Sequence, residues 1–139
     1  MLQPKKVKYR KQHRDRSHLE GKTKGGALIA FGSFALKAVT ASDLTSRQIE
    51  AARKSITNSL KREGRLWIKA FPHKNLTRKA AEVPMGSGKG TPDHFVMPVC
   101  PGRIIFELEG ISEDRARAAF RLAAFKLPFK CKFVTKQFV

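Results

Sequence analysis

The stretch VPMGSGKGTP, residues 83–92, places three glycines and a lysine between Gly86 and Gly90. Glycine backbone with a neighbouring ammonium suits phosphate, because amide N–H groups can approach an anion that no side chain keeps away. Such a loop could hold a nucleotide awaiting hydrolysis or the backbone of a nucleic acid. A hydrolytic loop needs G-x-x-x-x-G-K-[ST], with the hydroxyl on magnesium and a helix starting at once, so that its N-terminus faces the phosphates. With Gly88 and Lys89 on the Gly-Lys pair, Val83 stands where the first glycine belongs and Gly90 where the hydroxyl belongs, and Pro92 follows before any helix can start. A nucleotide hydrolase is therefore the remote alternative. The surviving use of the glycines is a hairpin-like finger able to enter a crowded groove, with Lys89 as its charge and Ser87 as a small donor.

Other reactive side chains lack the spacing that catalysis needs. His13, His18, His73 and His94 form no i, i+4 pair beside a carboxylate, so no metal site is expected. Ser87 lies outside the strand-to-helix elbow that exposes a nucleophilic serine. Cys100 and Cys131 are far apart and lack a CxxC pairing, which makes them two reduced thiols in strands. No catalytic residue, metal or cofactor is expected.

Charge points to the partner. The chain has 139 residues, with 29 Lys and Arg against 11 acidic residues and a formal net charge of +18. Its 41% apolar content is enough for one core, so a single domain is expected. Nucleic acid fits the charge best, since Lys and Arg gain affinity by releasing the counterions condensed on backbone phosphates. An anionic membrane surface is the weaker fit. The longest apolar run, residues 27–36, is broken by Gly32 and Ser33 and is about half of the roughly 20 residues a membrane span needs. The chain starts charged, without the apolar core of a signal peptide, so a cytoplasmic location is expected.

Each basic segment needs an element to position it. Residues 1–26 are dense in Lys and Arg and have Leu2, Val7, Tyr9 and Leu19 as their sizeable apolar anchors, which predicts an arm that orders on its partner. Tyr9 among Lys8, Arg10 and Lys11 suits base stacking and phosphate contact. Residues 27–39 read as one strand, or two strands meeting at Gly32-Ser33. In TSRQIEAARKSITNSLKREG, Thr45 and Gln48 make a capping box and Gly64 a left-handed stop, which predicts a helix over 46–63. Ile49, Ala52, Ile56 and Leu60 form its apolar face; Arg47, Lys54 and Lys61 form an opposite basic stripe suited to phosphate.

Residues 65–71 predict a strand ended by Pro72, and 73–92 a long loop. Residues 94–100 and 103–109 read as a hairpin turned at Pro101-Gly102, with Ile104, Phe106 and Leu108 buried and Glu107 and Glu109 wet. Pro98 pushes its strand toward an edge or bulge. Ser112 caps a second helix with Glu113 and Asp114 in its first turn and Pro128 beyond its end. Its alanines predict close approach to the sheet, and residues 130–136 a final strand. The expected fold is α+β: a mostly antiparallel sheet with two helices on one face, a basic N-terminal arm over 1–26, and a body over 27–139 carrying loop 73–92.

The segments MLQPKKVKYRKQHR, FGSFALKA, LTSRQIEAAR, KREGRLWIKAFP, MGSGKG and KLPFKCKFVTK, in this order over essentially the whole chain, resemble the bacterial-type L sixteen family of large-subunit ribosomal proteins. KREGRLWIKAFP and MGSGKG are the most specific of them. The resemblance implies a structural constituent of the large subunit that binds its ribosomal RNA beside the aminoacyl-tRNA site and helps organise the peptidyl transferase region, where the chemistry belongs to RNA. It implies that Lys5, Lys6, Lys8, Arg10, Lys11, His13 and Arg14 thread into ribosomal RNA. It also implies that Met85, Gly86, Ser87, Gly88, Lys89 and Gly90 face A-site tRNA and, as a second neighbour, P-site tRNA. No homo-oligomer and no membrane contact are implied, and the ribosome is cytoplasmic or, as the alternative source, organellar. A non-ribosomal basic RNA-binding protein is the competing reading from charge alone.

Three departures stand out. Pro84 replaces an arginine usual before Met-Gly in bacterial relatives, a residue hydroxylated in some of them; Ser87 replaces the first lysine of M-G-K-G-K-G; and HLEGKTKGG at 18–26 differs from the segment expected before FGSFALKA.

Overall fold

The computed structural model describes residues 1–17 and 20–137. His18 and Leu19, weighed above as a metal ligand and an apolar anchor, lie outside the described residues. Among the described residues nine elements follow one another: β1 (Phe34–Ala38), β2 (Ser42–Thr45), α1 (Ser46–Ser59), β3 (Arg65–Ile68), β4 (Lys74–Arg78), β5 (Thr91–Val99), β6 (Ile104–Glu109), α2 (Glu113–Ala124) and β7 (Cys131–Thr135). The class is α+β as expected, with the strands in two antiparallel sheets, ordered β3-β6-β1-β7 and β2-β5-β4.

Two sheets instead of one follow from what happens at Pro101-Gly102. The turn forms, with Arg103 N–H donating to Cys100 O at 3.3 Å and Gly102 at φ +94. It does not close a hairpin: β5 pairs with β2 and β4, and β6 with β1 and β3. Gly102 N–H donates to Ala38 O at 2.7 Å and Ala38 N–H to Arg103 O at 2.8 Å, so the end of β1 captures the turn and hands the chain from one sheet to the other. β5 can be central while holding two prolines because its neighbours are staggered. Pro92 lies opposite Thr77 of β4 and Pro98 opposite Asp43 of β2, each beyond the other neighbour's register.

Residues 73–92 are a hairpin and not one long loop. Lys74–Arg78 pairs with Thr91–Val96 across a register shift at Leu76/Thr77, which leaves 79–90 as its connection. The strand is short, irregular in register and preceded by Pro72, so it has no period to read.

Helix α1 starts as its sequence requires: Thr45 Oγ1 accepts from Gln48 N–H and Gln48 Oε1 from Thr45 N–H. It stops at Ser59 and not near 63. Lys61 and Arg62 are themselves left-handed, at φ 51 and 65, and Arg62 N–H reaches back to Thr57 O at 3.0 Å. Gly64 is left-handed as expected, at φ +76, but lies beyond the helix end, and a Cβ there would also stand 2.7 Å from Glu109 O. In α2, Ser112 occupies the N-cap without a side-chain bond, and Glu113 and Asp114 face the positive end of the helix.

Ile49, Ala52 and Ile56 of α1 and Ala116, Ala119, Phe120 and Ala123 of α2 join Leu36, Phe106 and Leu108 of the larger sheet and Leu44 and Val99 of the smaller in one core. The alanines of α2 permit close approach chiefly to α1, and less to the sheet. Phe120 still reaches β7, its ring 6.0 Å from that of Phe133. Fully buried side chains of this size each contribute about 1.5–3 kcal/mol relative to exposure.

Candidate RNA interface

The basic arm and the glycine loop meet. Lys11 Nζ donates to Lys89 O at 3.1 Å, and Lys89 Nζ donates back to Gln12 O. Asn75, buried in β4, donates its amide to Tyr9 O and Arg10 O, and Arg14 bridges to Asp43 of β2 at 3.1 Å. The arm thus lies on the smaller sheet by its backbone, with Lys5, Lys6, Lys8, Tyr9, Arg10, His13 and Arg14 exposed. Lys8 Nζ sits 5.4 Å from the centre of the Tyr9 ring. Carbonyl-directed anchoring leaves most of these cations available to a polyanion.

At the loop tip, Gly86, Ser87 and Gly88 have consecutive positive φ values of 96, 62 and 100. A Cβ on Gly86 or Gly88 would meet nothing within 4 Å, so the backbone conformation, and not lack of room, requires these glycines. Gly90 differs: a Cβ there would lie 3.0 Å from the Arg78 backbone, which makes it the tight base of the hairpin. Lys79 Nζ donates to Gly86 O at 2.5 Å and draws the loop together, while Met85 is 100% exposed. Residues 83–89 all lie open to solvent.

Arg47, Lys54 and Lys61 are exposed along or just beyond α1, away from buried Ile49, Ala52 and Ile56. Between them Arg53 pairs with Glu50, whose carboxyl its hydrogen bonds hold below the ordinary range.

The sequence pattern concealed a further set. Glu107, expected on a wet face, is 0% exposed. Its carboxylate accepts from the consecutive N–H groups of Ala30 (3.0 Å), Phe31 (2.6 Å) and Gly32 (2.9 Å), so residues 30–32 cross the outer face of the larger sheet as a strap, where a strand was expected. Burial pushes this carboxyl up, but the three donors, with Lys69 nearby, outweigh it and hold it below the ordinary range. A Cβ on Gly32 would come within 2.7 Å of Leu108 O, which is why only glycine lets the strap lie so close. Arg65, Trp67, Lys69 and Phe71 alternate along and beyond β3 on the strap's side. This period-two interleaving of cation and aromatic was the signal available in RLWIKAF.

Among the described residues no group of three His, Cys, Asp or Glu is placed to hold a metal, and no helix is long and apolar enough to cross a membrane. Both cysteines are free, and burial pushes the Cys131 thiol up to about 11.

Comparison with known proteins matches residues 4–134 to the family of ribosomal protein L16p/L10e. The chain belongs to this family. A relative described as large ribosomal subunit protein uL16, from Rhodospirillum rubrum, is 57% identical over 136 residues, covering 98% of this chain and 97% of that protein. As an L16-family member the chain is a structural constituent of the large ribosomal subunit and not an enzyme.

Proposed function

We propose that the chain grips large-subunit ribosomal RNA with its basic arm and the outer stripe of α1, beside the aminoacyl-tRNA site. Loop 85–90 then extends toward the peptidyl transferase region and the A-site tRNA. The observation that carries this reading is the clasp between Lys11, Gln12 and Lys89, which gathers the arm and the glycine finger on one side of the smaller sheet. RNA held by the arm therefore fixes where the finger points. Phosphate contacts of this kind position without reading sequence. The finger offers backbone amides and Lys89, chemistry that supports a tRNA backbone without performing a reaction. The bacterial relative supports a cytoplasmic ribosome as the place of action.

The test is reconstitution of large subunits lacking the chain, with the native protein or with Ser87 to Lys89 replaced by alanine. Both should join the subunit and leave it only at high salt, whereas the variant should lower A-site tRNA occupancy. Equal occupancy would overturn the finger's role, and recovery of the native chain solely as free protein would overturn the RNA-binding reading.

A further inference from the structure

The outer face of the larger sheet carries an aromatic surface that shares no residue with the clasp of Lys11, Gln12 and Lys89, although Leu2 of the arm lines the cleft beside it. Phe31, at the crest of the strap, stacks on Trp67 with ring centres 5.9 Å apart and planes 21° from parallel. Lys69 Nζ lies 4.3 Å from the centre of the Phe31 ring and the Arg65 guanidinium 5.9 Å from that of Trp67. Sealing the strap over Glu107 accounts for the stack itself. It does not account for Phe31 remaining 55% exposed, or for Phe71 standing exposed beside it. Large apolar side chains grouped in water mark a surface with a use.

Beside these rings the protein is concave. Phe31, Trp67, Lys69, Phe71 and Arg103 line a cleft of about 370 Å³, and Lys69 and Arg103 also wall an adjoining one of about 380 Å³ that includes Lys24. Volumes of this size lie at the small end of ligand sites, which start at about 300 Å³. Arg103 is fixed in the wall by donating to Gly25 O at 3.1 Å, and a Cβ on Gly26 would collide with it. Its Nε is buried and has no partner among the described residues. The first cleft thus combines aromatic rings with cations, Lys69 lying over the Phe31 ring and Arg103 held by Gly25.

We propose that this cleft receives one unpaired nucleotide of RNA, its base among the rings of Phe31, Trp67 and Phe71 and its phosphate on Lys69, Arg103 and Lys24. The proposal rests on the ribosomal RNA reading above and adds a base-stacking site to its phosphate contacts. Unstacked bases are what RNA-binding proteins hold on aromatic side chains, and a cation beside the ring favours the nucleotide over an uncharged apolar group. The paired cations disfavour a hydrophobic peptide as the occupant, since desolvating them without an anion is costly.

Trp67 is the chain's one tryptophan and therefore reports on the cleft directly. The full chain is titrated with single-stranded hexa-adenylate at elevated salt, following tryptophan emission and, on labelled RNA, anisotropy. Saturable quenching by the RNA, absent with inorganic polyphosphate and much weaker with AMP, is expected. Phe31→Ala and Phe71→Ala should each weaken the quenching interaction by roughly 5- to 150-fold, the range of one base stack, and Phe31→Tyr should retain it. Phe71→Ala leaves the strap residues untouched, so a loss there cannot come from strap release.

Anisotropy showing RNA bound with no quenching would overturn the cleft while leaving the arm's role intact. Equal quenching by polyphosphate would overturn it as well, by reducing the effect to charge, and AMP saturating at the same concentration as the RNA would overturn the RNA assignment. In intact subunits, ultraviolet cross-linking should attach a nucleotide to the peptide carrying Trp67; attachment of that peptide to another protein instead would overturn the proposal. Failure of the native chain to bind large-subunit RNA at all would fall on the earlier reading, which separates the two.

Discussion

Lys11 Nζ lies 3.1 Å from the carbonyl oxygen of Lys89, and Lys89 Nζ returns the bond to the arm at Gln12. Two cations 78 residues apart thus each hold a carbonyl of the other's segment, Lys89 O and Gln12 O, without an acidic partner in the clasp. Exposed bonds of this kind contribute little to global stability, on the order of 1 kcal/mol or less. Their effect is local. Lys89→Ala should leave the melting temperature nearly unchanged while raising the backbone mobility of residues 9–12, read by nitrogen relaxation; unchanged relaxation there would show that the clasp does not hold the arm.

Glu107 carries the larger energetic role. Glu107→Gln keeps the size but replaces one acceptor by a donor that faces strap N–H groups, and charge-assisted bonds of this type contribute about 1.5–3 kcal/mol each. A loss of at least about 2 kcal/mol is expected in urea unfolding. The pH dependence has a definite sign. The folded carboxyl lies below its unfolded value of about 4.3, so the folded state binds fewer protons. The stabilisation is complete above the unfolded value and is lost as pH falls through the folded one. Unfolding free energy measured from neutral to acid pH should therefore decline more steeply in the native chain than in Glu107→Gln, and parallel curves would refute the assignment.

Legibility tracked the range of the interactions. Local ones were readable: the capping box at Thr45 and Gln48, the first turn of α2 and the turn at Gly102 all lie where neighbouring residues dictate. Features set by distant partners were not. Nothing near Glu107 says that residues 30–32 will cover it, so alternation alone made it a wet-face residue. The hairpin expected at Pro101 failed because the end of β1 captured the turn. For the interface, the arm and loop were legible as charge and glycine, whereas their contact depends on the β4–β5 hairpin, whose first strand is too short to show a period. The aromatic cleft was half legible, since RLWIKAF carries the alternation but Phe31 arrives from the strap.

Glycines of the strap and of the finger should respond differently to the same substitution. Gly32→Ala places a methyl 2.7 Å from the Leu108 carbonyl, which is sheet backbone and cannot yield. Gly88→Ala meets no atom within 4 Å and bears only the strain of φ +100, about 1 kcal/mol. Gly32→Ala should therefore destabilise by clearly more than Gly88→Ala, with a matching rise in hydrogen exchange at residues 30–32. Equal losses in denaturant unfolding would mean that the strap is free to shift.

Ser87 supplies the last prediction. It is exposed at the finger tip with φ 62, between glycines that set the same left-handed path, so lysine should be accommodated there with no new contact to the body. If the finger meets a polyanion, Ser87→Lys adds one phosphate contact beside Lys89. The log of the affinity for single-stranded RNA should then fall more steeply with the log of salt concentration, by about 0.7 in slope. Folding stability should stay within about 0.5 kcal/mol, as for other surface changes. A slope equal to that of the native chain, with RNA still bound by the arm, would mean that the tip projects past the backbone it was expected to follow.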